Sequence, residues 1–248
     1  MSDRYIPGAR SMDDRLKNIR AAEKQSHLET YGTWELFQDG SWLSKPVRAV
    51  TDLLPLFEKK RRLRVLDLGC GVGRNAIFVA RKFADIDVEI DCVDILDFAI
   101  EKLEKNAECY GVERSVKGIV MPLEDYPVLK KHYDFVMAVS ALEHVDSEAS
   151  FVRKLKEIRD GVRPGGAVCM VINTQVQEEN RDTGELLEPQ FEVNMSTEAM
   201  KNLLTKTFDG WEILKFTVKA QEYEIPRGNV TAKLTTDVVN FVARSAEQ

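Results

Sequence analysis

Asp67 stands two residues before the first of three glycines set two apart, Gly69, Gly71 and Gly73, in the run Val65-Leu66-Asp67-Leu68-Gly69-Cys70-Gly71-Val72-Gly73. Glycines bare the backbone where a ligand must touch it and adopt turn dihedrals closed to other residues. A helical pattern from Arg74 to Lys82 follows at once, so the free amides of its first turn face the same place. A pyrophosphate is disfavoured beside the Asp67 carboxylate, whereas an ammonium or another cation is favoured. The dinucleotide spacing G-x-G-x-x-G would put its last glycine at position 74, which is Arg74. Asp94, with Ile95 after it, ends the next strand 21 positions beyond Gly73. A carboxylate there accepts from both hydroxyls of a ribose, or it caps the helix that follows. Further on, Glu143 and His144 close the run Ser140-Ala141-Leu142-Glu143-His144 and are the candidates for acid–base or electrostatic work. Packing beneath a bound ligand is the alternative role for His144.

These residues need rigid elements to bring them together. Strands are expected at Arg64–Leu68, Val88–Val93, Val116–Met121, Asp134–Val139 and Ala167–Ile172. Helices are expected at Arg74–Phe83, Phe98–Tyr110 and Ser147–Gly161. Such alternation predicts an α/β fold with a doubly wound, Rossmann-like, mostly parallel sheet, whose ligands sit at the carboxyl ends of its strands. Residues 173–195 are polar, with Gly184 and Pro189, and are expected to be a long functional loop. A capped helix from Ser196 to Thr207 and two strands, Gly210–Tyr223 and Leu234–Ala243, complete the chain. The short turn between those strands makes them an antiparallel pair and brings the sheet to seven strands.

Ahead of the first strand, Met12–Glu29 reads as an amphipathic helix with Leu16, Ile19 and Leu28 on one side. Pro46–Glu58 reads as a second helix carrying Val47, Val50, Leu53, Leu54 and Phe57. Tyr31, Trp34 and Trp42 fall between them, as a pocket wall or as glue for the helix. The chain thus divides into an N-terminal helical extension or lid at 1–58 and a binding domain at 59–248. The net charge is −6, with +4 on residues 1–64 (13 Lys/Arg against 9 Asp/Glu) and −10 on the rest. That balance argues against a nucleic-acid partner. The basic run Lys59-Lys60-Arg61-Arg62 is expected at a solvated helix end. Four cysteines show no zinc spacing, and no other metal-ligand cluster stands out. No apolar run reaches the ~18 residues of a membrane span, so a cytoplasmic monomer or homodimer is expected.

The pattern D-x-G-x-G-x-G over 67–73 resembles the first motif of class I S-adenosylmethionine-dependent methyltransferases, and the resemblance extends over roughly 60–243. Gly73-Arg74-Asn75, with Phe191, Glu198 and Trp211 later, is similar to the tellurite-resistance and thiopurine-type branch. The resemblance implies S-adenosylmethionine as cofactor and S-adenosylhomocysteine as product, with a small molecule as methyl acceptor. It implies that Gly69 and Gly71 hold the methionine part, and that Leu123 and Glu124 cover the adenine. Ala138 and Val139 would pass beside the methionine part. Pro122 stands where the family often has an aspartate. The run after strand four has neither the Asn/Asp-Pro-Pro-aromatic segment nor the cysteine used on nucleic-acid bases. Two other readings stand beside this one: a catalytically silent S-adenosylmethionine-binding regulatory module, and a nicotinamide-dependent oxidoreductase.

Overall fold

The computed structural model describes residues 12–247; the first part of the expected N-terminal extension, residues 1–11, lies outside them. One mixed sheet runs in the order β3-β2-β1-β4-β5-β8-β7, with a short β6 paired to β5. The strands are β1 Arg62–Leu68, β2 Asp87–Asp94, β3 Val116–Val120, β4 Tyr133–Val139, β5 Val162–Asn180, β6 Leu186–Leu187, β7 Glu212–Arg227 and β8 Val230–Arg244. β1 to β5 are parallel to one another, while β8 runs antiparallel to both β5 and β7.

Helices cover both faces because the central strands are apolar on both sides. On one face lie α3 (Arg74–Lys82) and α4 (Asp97–Cys109), which pack Ile77 and Leu103 against Leu63 and Val65. On the other lie α5 (Glu148–Gly161) and α6 (Thr197–Thr207), which pack Leu155 and Leu204 against Leu66 and Leu68. Ser147 and Ser196 cap α5 and α6 by accepting from Ser150 N and Ala199 N, which satisfies amides that a helix start leaves free. Tyr31, Leu36, Leu43, Val50 and Phe57 share the first core, so the segment before β1 is packed onto the sheet domain.

Four expectations change. The N-terminal helix, α1, runs from Met12 to Thr33, and Leu28 on its expected inner side is exposed. The segment 46–58 is not one helix: α2 (Arg48–Thr51) stops and a 3-10 turn, Leu54–Phe57, follows. Pro55 has no N–H to give and its ring clashes with the preceding turn, so a continuous helix is barred. The long loop is shorter than its composition suggests, because β5 continues to Asn180 against β8 and returns through β6. The basic run sits at the turn into β1. There Lys60 pairs with Asp134 at 2.9 Å and Arg62 with Asp87 at 3.0 Å.

Candidate functional site

The sheet order reverses between β1 and β4, and a cavity of about 700 Å³ opens at the carboxyl ends of these strands. That is where a doubly wound sheet leaves a crevice. Its floor is the glycine turn. Gly69 N and Cys70 N both donate to Val93 O, at 2.8 and 3.1 Å, which ties the turn to β2. Asn106 Nδ2 donates to Val72 O at 3.0 Å and steadies it from α4. Gly69, Gly71 and Gly73 all have positive φ, at +71, +52 and +92.

The three glycines are required for different reasons. A Cβ on Gly69 would come within 2.3 Å of the Ala141 Cβ, and one on Gly71 within 2.6 Å of the Tyr31 hydroxyl oxygen. Gly73 does not line the cavity; a Cβ there would strike Leu103 of α4 at 2.3 Å, so this glycine lets two helices pack.

Asp94 does line the cavity. Its Oδ2 accepts from Gly71 N at 2.8 Å and its Oδ1 from Leu96 N at 3.0 Å. It therefore braces the turn and the start of α4 together, and each oxygen keeps a further lone pair toward the cavity. Burial raises its pKa, against the pull of those backbone amides. Asp67 lies behind the turn, 1% exposed, with Oδ2 lacking any hydrogen-bond partner. Burial first, then the Asp94 charge, pushes its carboxyl up to about 7.

Ile95, Leu123, Glu124 and Val139 line the cavity, as do Pro122 and Ser140. Ala138 faces the core instead and is fully buried. Glu124 is engaged by Arg20 of α1, whose Nη2 donates to its Oε1 at 2.5 Å.

Of the three aromatics, Tyr31 and Trp42 line the cavity and Trp34 does not. The Trp34 ring packs on the turn at Gly40 and its carbonyl accepts from Lys102 Nζ at 3.1 Å. Trp42 carries the Arg74 guanidinium 4.8 Å above its ring.

Glu143 and His144, neighbours in sequence, point apart. Glu143 is fully buried, and its Oε1 accepts from Asn173 N and Nδ2 at 2.9 and 2.7 Å. It fastens the end of β4 to β5 and does not open onto the cavity, which corrects its placement as a catalytic candidate. His144 does line the cavity. Its Nδ1 lies 2.9 Å from Glu192 Oε2, its Nε2 lies 3.2 Å from Glu23 Oε1, and Phe191 stacks on its ring at 5.2 Å. One ligand atom from each of Glu23, His144 and Glu192 falls within 4.8 Å of the others, a grouping that adjacent motifs in the sequence do not announce.

Burial lowers the pKa of His144, but Glu23, Glu192 and Glu143 outweigh it and the imidazole is pushed up to about 9. A base whose folded pKa exceeds its ordinary 6.5 stabilises the fold fully below 6.5 and loses that contribution as pH rises through 9. Asp67, with its carboxyl raised to about 7, completes its ionisation in the lower part of that range, so the comparison with a His144 variant is what isolates the imidazole. The melting temperature is thus expected to fall by several degrees between pH 7.5 and 9.5, with a smaller fall in His144→Gln. Equal slopes for both proteins in calorimetric scans would remove His144 as the cause.

Sequence reasoning missed the α1 residues Arg20, Glu23 and His27, and the far wall of Tyr223, Ile225 and Arg227 from the β7–β8 hairpin. Neither set carries a local signal. The helix reaches the site only by folding back over the sheet, and the hairpin only because β5, β7 and β8 overrun the sheet's edge.

Residues 65–166 match the methyltransferase domain family. Among curated proteins, the chain is similar to ajmaline N-methyltransferase of Rauvolfia serpentina. It is 27% identical over 135 residues, which cover 54% of this chain and 43% of that protein. It is 34% identical over 119 residues to the ubiquinone biosynthesis O-methyltransferase of Yersinia pestis, covering 46% of this chain and 42% of that one. The matched stretch thus spans less than half the length of these relatives. A solved S-adenosylmethionine-dependent methyltransferase from Methanosarcina mazei shares the fold. The TM-score is 0.56 at 19% identity, over 82% of this chain and all of that one. The part of the chain that holds the glycine turn, Asp94 and His144 is a methyltransferase domain, built on the fold of the class I S-adenosylmethionine-dependent methyltransferases.

Proposed function

We propose that the protein moves the methyl group of S-adenosylmethionine to a small-molecule acceptor by in-line displacement. The observation that carries this reading is the acid behind the turn, Asp67, whose buried Oδ2 has no partner. An unpaired buried carboxylate is costly, and a ligand bringing an ammonium to the glycine turn relieves that cost. The other residues fit the same ligand. Gly69 and Gly71 leave bare backbone for its methionine part, and Asp94 keeps lone pairs for its ribose. Ile95 and Leu123 offer an apolar face for its adenine.

The bound cofactor supplies a methyl carbon made electrophilic by the adjoining sulfonium. The protein's part is alignment and exclusion of water, which such a displacement chiefly needs. Tyr31 and His27 of α1 and Trp42 cover the glycine turn, so we assign this segment the role of lid. The cavity lies within the ~300–1,000 Å³ typical of small-molecule sites. That leaves space for an acceptor beside the cofactor and disfavours a silent binding module. Arg74 in place of a third fingerprint glycine disfavours a nicotinamide enzyme.

Calorimetry with S-adenosylhomocysteine tests this arrangement. Its ammonium is expected to lower the raised pKa of Asp67, so binding near pH 7 releases protons, measured by repeating the titration in buffers of different ionisation enthalpy. A folded protein that takes up no heat from this ligand ends the proposal.

A further inference from the structure

One corner of the cavity is charged in a way that methyl transfer alone does not require. Glu23 from α1, Glu124 from the segment after β3 and Glu192 from the segment after β6 meet there with Arg20 and His144. Glu192 is 1% exposed at its side chain, and its Oε1 has no hydrogen-bond partner. Its Oε2 pairs with His144 Nδ1 at 2.9 Å, and Arg20 Nε lies 3.7 Å from its Oε1 while Nη2 of the same guanidinium donates to Glu124 at 2.5 Å, so one arginine is shared between two acids. Three carboxylates therefore face two cations even with His144 protonated, a surplus of one negative charge.

The other cations of the wall are occupied elsewhere. Arg227 is gripped by both oxygens of the buried Glu178, at 2.7 and 2.8 Å. Lys24 pairs with Asp97 at 3.3 Å, and Arg74 donates to Trp42 O at 2.7 Å. A carboxylate or phosphate entering this corner must break an ion pair to find a partner. A cationic group finds a corner short of one positive charge, where Glu192 Oε1 still lacks a hydrogen-bond donor, with the Phe191 ring beside it to take the attached carbon.

We propose that the acceptor is an amine, seated with its nitrogen against Glu192 and Glu23. This rests on the methyl-transfer reading above and narrows it to one substrate class. The acceptor enters as an ammonium paired with Glu192 and gives one proton to Glu23, which frees the nitrogen lone pair. That pair forms the new C–N bond with the methyl carbon as the C–S bond breaks, and the C–S electrons stay on sulfur, leaving a neutral thioether. The methylated nitrogen carries the positive charge and remains paired with Glu192 until release; Glu23 passes its proton to solvent. Burial raises the pKa of Glu23 in spite of His144, which suits a carboxylate that must hold a proton briefly.

The test is transfer of tritiated methyl from S-adenosylmethionine across a panel of small amines, thiols, alcohols and carboxylic acids on matched carbon skeletons, with EDTA present. Turnover is expected to concentrate on amines. For the best amine, Glu192→Gln should raise KM at least tenfold while S-adenosylhomocysteine affinity, measured by calorimetry, stays within twofold. Glu23→Gln should lower kcat and displace the acid limb of its pH profile. Retained cofactor-product binding also shows that both variants are folded. Preference for thiols, alcohols or acids overturns the amine assignment and leaves methyl transfer standing. So does activity that EDTA abolishes and Zn²⁺ or Mg²⁺ restores, since the corner would then be a metal site. Tight product binding with no transfer to any class overturns both amine and transfer, and absence of that binding ends the parent reading first.

Discussion

Asp94→Ala is expected to weaken S-adenosylhomocysteine binding at least 100-fold. The Asp94 carboxylate does two things at once in this structure. It receives the amides of Gly71 and Leu96 at 2.8 and 3.0 Å, and it turns its remaining lone pairs to the cavity. Removing it strips the proposed ribose of its acceptor and lets the turn amides drift from the position that holds the methionine part. A hydrogen bond to a charged group is worth about 1.5–3 kcal/mol. Losing two therefore costs about 3 kcal/mol or more, which is a factor of about 100 or greater. Asp94→Asn keeps one accepting oxygen and should fall between. Stability is expected to fall as well, by a smaller margin, because the amides of Gly71 and Leu96 lose their acceptor while the cost of burying the carboxylate is relieved. Calorimetry for affinity and scanning calorimetry for melting separate the two effects; wild-type affinity in Asp94→Ala would place the ligand elsewhere.

Gly69→Ala is the second large effect, and here stability itself should fail. The residue sits at φ +71, and its new methyl group would lie 2.3 Å from the Ala141 Cβ and 3.4 Å from the Ala141 Cα. Left-handed backbone costs an ordinary residue about 1–2 kcal/mol, and forcing a methyl group into a packed site costs about 1–3 kcal/mol. The sum, about 2–5 kcal/mol, corresponds to a melting temperature lower by about 10 °C in a chain of this size. Gly210 is the control: it has φ +80 but no atom within 4 Å of the added Cβ. Gly210→Ala should pay the backbone strain alone. The clash can be isolated further by pairing Gly69→Ala with Ala141→Gly, since the coupling of contacting residues is what a double-mutant cycle measures. Independent, additive losses in that cycle would show that Ala141 is not the obstacle.

The two strand ends that make the floor of the site were legible because their signals are local. Val65–Leu68 and Val88–Val93 are short segments rich in β-branched and apolar residues, followed at once by glycine or acid, and that grammar needs no knowledge of the rest of the chain. The same holds for α5 and α6, where Ser147 and Ser196 announce helix starts that the structure confirms. Pro55 was equally visible, and the helix expected over 46–58 broke there because the proline carries more weight than the apolar spacing around it.

Local signals failed where a residue's role depends on what folds onto it. Glu143 and His144 are indistinguishable as neighbours in sequence. Both sit in one 3-10 turn after β4, Leu142–His144, where the first side chain is held by Asn173 and the second lines the cavity. The polar stretch after Ile172 looked like loop because half of its residues face solvent, yet pairing with β8 makes it strand as far as Asn180. The sequence by itself determined the doubly wound sheet, the glycine turn and the acids that answer it, since each is written within a few consecutive residues. Only the tertiary structure decided what the site's far side is made of. Glu23, Glu192 and His144 lie far apart in the chain, and just the return of α1 across the strand ends and the packing of the segment after β6 bring their side chains to one place.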